Sequence, residues 1–231
     1  MTKRAAIVLC FAPLVVFTGC GGSGNRTVAE GVSSVWSGYA LKGRYPQVSA
    51  SWVQPSIDCA ATPTGHAVFW VGLDGYFGSK TVEQTGTEAY CVLGTPQYHG
   101  WNEAYPRGLA TYPDPVKPGD KIFASVTADP DGEFTLVLAN RSEGWTQRVQ
   151  RVMTNAELTS AEVIAEAPLH LDTHHPSPLA DFGTVRFTGA TANGKLFSAL
   201  NGLYKIDMSN GTLQASTGRI VNGAFTVTWK H

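Results

Sequence analysis

The strongest constraint on this chain's fold is a side-chain alternation of period two. In "GAFTVTW" (223–229) the apolar Phe225, Val227 and Trp229 alternate with Thr226 and Thr228, and "KIFASVTAD" (121–129) and "EFTLVLAN" (133–140) behave similarly. Successive residues of a strand point to opposite faces, so each segment has one face to bury. The flanking "KPGD", "DPDGE" and "SNGT" are turn sequences. No convincing amphipathic helix is available to cover the apolar faces, so they must cover one another. The expected fold is all-β, a sandwich of two packed antiparallel sheets. The 231 residues include 25 Gly and 13 Pro with only 15% charged, which suits one β-rich domain without internal repeats.

"SAEVIAEAP" (160–168) sets Glu162 and Glu166 among small and apolar residues. On a strand both point the same way, with Ile164, while Val163 and Ala165 take the other face. A buried carboxylate is costly unless paired or protonated. The two glutamates therefore either face water or carry chemistry.

The net charge of -1 and the lack of Lys/Arg clusters argue against nucleic acid as a partner. At the N-terminus Lys3 and Arg4 precede "AAIVLCFAPLVVF" and then "FTGC", ending at Cys20. This reads as an export signal, and small residues before a cysteine resemble the lipobox of bacterial lipoproteins. Residues 1–20 are expected to be a lipoprotein signal peptide with its lipobox, cut before Cys20, which is lipidated and anchors the protein to a membrane of the bacterial envelope. Residues 21–34, "GGSGNRTVAEGVSS", suit a flexible tether, which leaves 35–231 as the domain. Cys59 and Cys91 then remain in an oxidising compartment and are expected to form a disulfide.

Familiar catalytic signatures are absent. There is no His-Glu-x-x-His, Cys-x-x-Cys, Gly-x-Ser-x-Gly or phosphate-cradling glycine loop. His174 and His175 in "LDTHHPSP" point apart on an extended chain and read as a polar loop. Neither a metal nor another cofactor is expected.

An ordered series of motifs does stand out: "VWSGYA" (35–40), "FWVGLDG" (69–75), "TVEQTG" (81–86), "GWNEAYP" (100–106), "AEVIAE" (161–166) and "ADFGTVRFTGA" (180–190). In content and order they resemble the glutamic peptidases, or eqolisins, across nearly the whole domain. The resemblance implies a jelly-roll type sandwich, related to concanavalin A, and a polypeptide substrate cleaved by a monomer. It assigns the catalytic pair to Gln84 and Glu166, places Glu162 as a supporting glutamate, and puts Trp70, Asp74, Trp101, Glu103 and Tyr105 on positions that line the cleft or hold the pair. Asp74 has a second reading as an Asp-Gly turn. Glu88, Val68, Ala104 and Val163 depart from the family pattern, with Val163 replacing the usual tryptophan between the glutamates.

One acid and one amide make chemical sense. A carboxylate can take a proton from an attacking water and return it to the leaving nitrogen, while an amide N–H stabilises the oxyanion. An amide partner also avoids two close anions. The competing reading is a non-catalytic sandwich that binds glycan or peptide in the same cleft, since fold alone does not fix function.

Overall fold

The computed structural model describes residues 28–170 and 175–230, with strand backbone also at Ile7–Val8 and Val15–Phe17. Strands are numbered in chain order from Ala29. One sheet, A, contains β1 (Ala29–Ser33), β2 (Trp36–Lys42), β4 (His66–Asp74), β5 (Val82–Val92), β6 (Thr95–Tyr105), β7 (Arg107–Pro115), β11 (Ser160–Glu166) and β13 (Leu203–Ser209). Its spatial order is β7-β6-β5-β4-β11-β2-β13-β1, antiparallel except for the parallel β13–β1 pair. The other sheet, B, contains β3 (Gln47–Val53), β8 (Lys121–Ala128), β9 (Glu133–Asn140), β10 (Trp145–Val152), β12 (Thr184–Ala192), β14 (Leu213–Thr217) and β15 (Phe225–Trp229). It runs β10-β9-β8-β3-β12-β15-β14, all antiparallel. The hairpin between β13 and β14 carries the chain from one sheet to the other.

The sheets pack face to face. Ala67, Phe69, Val71 and Leu73 of β4 and Ala161, Val163 and Ala165 of β11 share one buried cluster with Val48, Ala50 and Trp52 of β3, Ile122, Ala124 and Val126 of β8, and Phe134, Leu136 and Leu138 of β9. The Trp52 indole donates a 3.1 Å hydrogen bond to Thr87 across the gap. Gly100 allows this closeness, because a Cβ there would stand 2.7 Å from Leu138. At one edge of the sandwich, β10 is tied to sheet A by Trp145 donating to the Pro115 carbonyl at 3.0 Å and Arg151 donating to Asn102 at 2.9 Å.

The far side of sheet A is also covered. Trp36, Ala40, Val68, Trp70, Trp101, Ile164 and Ile206 form a second apolar cluster there, so β4 and β11 are buried along their whole length. Strands buried on both faces need no polar alternation, which explains why "HAVFWVGLD" shows none. As expected, β11 is a strand with Glu162, Ile164 and Glu166 on one side and Val163 and Ala165 on the other.

One boundary needs correction. The stretch 21–34, read as a tether, includes β1 at Ala29–Ser33, which pairs with Tyr204–Met208. Backbone hydrogen bonds to β13 hold it, and its Gly- and Ser-containing sequence carries no periodic signal. The proposed lipid-bearing Cys20, and His174, lie outside the described residues.

A disulfide joins Cys59, between β3 and β4, to Cys91 at the end of β5, closing a sequence separation of 32. Cross-linking such a loop restricts the unfolded chain by on the order of 3–4 kcal/mol in the chain-entropy model. Replacing both cysteines by serine is expected to lower the unfolding free energy by an amount of that order, read as a lower midpoint of denaturant unfolding. An unchanged midpoint would show that the bridge contributes nothing.

Candidate active site

The strand register lays out the far face of sheet A row by row. Glu162, Gly72, Gln84 and Glu103 stand side by side on β11, β4, β5 and β6; the next row is Ile164, Trp70, Gly86 and Trp101, and the next Glu166, Val68, Glu88 and His99. Glu162, Glu166, Gln84, Glu103, Trp70 and Trp101 therefore share one face. Gln84, Glu162 and Glu166 are 0% exposed and Glu103 1%. Ile7–Val8 pairs with Leu169–His170 just beyond β11, and Val15–Phe17 pairs with Glu30–Val32 at the opposite edge.

Two hydrogen bonds organise the face. The Trp70 indole Nε1 donates to Glu166 Oε2 at 2.8 Å, and the Gln84 amide Nε2 donates to Glu103 Oε2 at 2.9 Å. Oε1 of Glu166, Glu103 and Gln84 and Nε1 of Trp101 are buried without a hydrogen-bond partner. These free groups are the ones a peptide bond and a water can engage.

By register Glu162 is nearer to Gln84 than Glu166 is, but the Trp70 ring intervenes. A Cβ on Gly72 would lie 2.7 Å from Trp70 Cζ3 and 3.2 Å from Gln84 Cβ. The indole thus covers Gly72, between Glu162 and Gln84, while its N–H points to Glu166. Trp36 packs edge-on against Trp70, with centroids 5.0 Å apart, and holds it in place.

Electrostatics divide the carboxyls into two groups. Burial pushes Glu166 well above the ordinary carboxylate range; Trp70 and, more weakly, Trp36 oppose this, and the charge of Glu103 adds to it. The Trp36 N–H makes no hydrogen bond of ordinary geometry. Glu103 is raised to about 8, again by burial, with the Gln84 N–H opposing. The expected amide partner therefore does not leave Glu166 as a lone carboxyl. A second one, Glu103, bonds that amide, and repulsion with an ionised Glu166 is avoided while Glu103 keeps its proton. Glu162 is also raised well above its ordinary value by burial, against the Ser160 hydroxyl and reinforced by Asp74 and Glu83.

Asp74 supports structure. Its carboxylate accepts hydrogen bonds from the backbone N–H groups of Glu157, Leu158 and Thr159, at 2.7 to 2.9 Å, and from the Thr159 hydroxyl at 2.9 Å. It braces the loop that enters β11 and has no spare oxygen for substrate. Tyr105 stands on the same face of β6, one pair beyond Glu103, opposite Val82.

Sequence reasoning gave no role to Glu83 or His66. Strand parity supplies a place for the first: with Gln84 on the far face, Glu83 must enter the core between the sheets, beside Leu73 and Ala104. Both its oxygens lack hydrogen-bond partners, and burial with the charge of Asp74 raises it to about 8, opposed by the Thr81 hydroxyl. His66 bonds Glu88 at 3.2 Å, a buried pair at one end of the face. No group of three or more His, Cys, Asp or Glu among the described residues is arranged to hold a metal.

The chain matches the Peptidase A4 family over residues 34–229. It is 29% identical over 192 residues to Aspergillopepsin-2 of Aspergillus niger, an alignment covering 73% of this chain and 67% of that protein. The crystal structure of scytalido-glutamic peptidase with a transition state analog inhibitor superposes with a TM-score of 0.74 at 24% identity, covering 85% of this chain and 98% of that one. Aspergilloglutamic peptidase from Aspergillus niger superposes with a TM-score of 0.63 at 26% identity, over 72% of this chain and 99% of that one.

Glu83 yields a pH-stability prediction. Its folded value, about 8, lies above the ordinary 4.5, so its favourable contribution is complete below about 4.5 and is lost as pH rises to about 8. The upper bound is on the order of 5 kcal/mol. Glu83→Gln, which cannot ionise, is expected to match wild type in thermal stability at pH 4 and exceed it at pH 8. Parallel melting-temperature curves of the two proteins across that range would contradict the assignment.

Proposed function

The chain belongs to the peptidase A4 family, the glutamic endopeptidases, and on that premise we propose that it cleaves polypeptides in acid with Glu166 and Gln84 as the catalytic pair. The observation that carries this reading is the pairing of Trp70 with one oxygen of Glu166, which leaves Oε1 free on the face that also presents the Gln84 amide. Water attacks the scissile carbonyl and passes a proton to Glu166, which then delivers it to the leaving nitrogen. Gln84 has two amide protons; Glu103 takes one, and the other serves the oxyanion. Gln84 Oε1 accepts a hydrogen bond from the attacking water.

Burial makes Glu166 a strong proton acceptor once ionised, but it lowers the ionised fraction in acid. The Trp70 hydrogen bond opposes that loss. The same reading has the protein exported, its leader cut before Cys20 and that cysteine carrying a lipid. The Cys59–Cys91 disulfide supports an oxidising location.

The test is digestion of an unfolded protein by residues 21–231. Cleavage is expected in acid and is expected to decline above neutrality, falling to about half near pH 8 as Glu83 and Glu103 lose their protons and further beyond it. Glu166→Gln keeps the shape and removes the proton acceptor, so turnover should vanish in a folded protein. Gln84→Ala should cost on the order of 10²–10³ in rate, and Glu162→Gln much less, because Trp70 walls it off. Abolition by Glu162→Gln with Glu166→Gln active would reverse the assignment. A wild type that binds peptide but cleaves nothing at any pH would favour the binding module.

A further inference from the structure

Glu103 is the buried carboxyl bonded directly to Gln84, and the pair mechanism gives it no chemical task. Its Oε2 accepts the Gln84 amide N–H at 2.9 Å. Its Oε1 has no partner, nor have Gln84 Oε1 and Glu166 Oε1. The charge of Glu103 adds to the rise at Glu166, although the register sets them on strands three apart and two rows distant. Glu103 is 1% exposed, and among the described residues the hydrogen bond from Gln84 is the only one its side chain makes.

A carboxyl in that setting is stable in acid as the neutral group, with one oxygen accepting and the other bearing a hydrogen. The accepting oxygen is identified by its partner, since Gln84 approaches Oε2 with an N–H. The hydrogen then resides on Oε1.

Resting on the peptidase reading above, we propose that Glu103 takes part in the reaction as a neutral carboxylic acid, a second hydrogen-bond donor beside Gln84. Oε2 fixes the amide so that its carbonyl oxygen and remaining N–H face the substrate. The proton on Oε1 supports the same carbonyl oxygen that Gln84 stabilises as water attacks. It is shared in a hydrogen bond and not transferred, so Glu166 still makes the only net proton movements. Ionisation of Glu103 removes the donor and sets a negative charge beside the developing oxyanion. The alkaline limit of activity follows from this, at about the value to which burial raises Glu103.

Two variants test the proposal, with kcat, KM and pH profile measured on residues 21–231. Glu103→Leu keeps the site apolar but removes donor and acceptor, and is expected to lower kcat on the order of 10²–10³-fold with little change in KM. Glu103→Gln retains a neutral donor and an acceptor that cannot ionise. It should recover most of that loss in acid, and its alkaline limit should move above about pH 8. Melting curves at each pH separate this shift from unfolding. A Glu103→Leu variant with wild-type kcat, or a Glu103→Gln variant that is folded yet as impaired as the leucine or keeps the wild-type alkaline limit, would overturn the inference while leaving the Glu166 and Gln84 assignment in place. A wild type without hydrolytic activity would instead overturn the peptidase reading, and this inference with it.

Discussion

The site depends on the cost of placing carboxyl groups on a sheet that is buried on both faces. The strands β4 and β11 are covered on one side by sheet B and on the other by a tryptophan-rich cluster. Charge is unwelcome in such a layer, so a glutamate either keeps its proton or finds a strong partner. Asp74 takes the second course, with three backbone N–H donors and a hydroxyl. Glu83, Glu103, Glu162 and Glu166 are all raised by burial, which favours the protonated form. Glu166 acts as a base in its ionised fraction, which the Trp70 N–H favours.

The tryptophans decide which of these acids can work together. Trp70 turns its N–H to Glu166 and lays its ring over Gly72, favouring one glutamate of "AEVIAE" and screening the other from Gln84. Glycine at 72 is required for this, since any side chain would occupy the space of the indole. A residue without chemistry of its own thus sets the geometry of the pair.

Much of this was legible in the sequence. Alternation in "GAFTVTW" and "EFTLVLAN" indicated sheets, and parity along "SAEVIAEA" placed both glutamates on one face. Cys59 and Cys91 are paired, as expected. The short strand β1 escaped notice, because pairing between distant segments is a property of backbone hydrogen bonds and leaves little trace in side chains. The bond between Gln84 and Glu103 was equally hidden: it depends on the register of β5 against β6, which residue types alone do not specify. Asp74 was poised between turn and cleft, and only the position of residues 157–159 decides it.

The central claim is that Glu166 and Gln84 meet the same reacting carbonyl, and a crystal structure of residues 21–231 with a peptide analogue bearing a tetrahedral hydroxyl-containing centre addresses it most directly. The account predicts that the oxygens of that centre lie within about 2.6–3.2 Å of Glu166 Oε1 and Gln84 Nε2, with Trp70 still on Glu166 Oε2. A tetrahedral centre seated against Glu162, or on another face of the molecule, would contradict it.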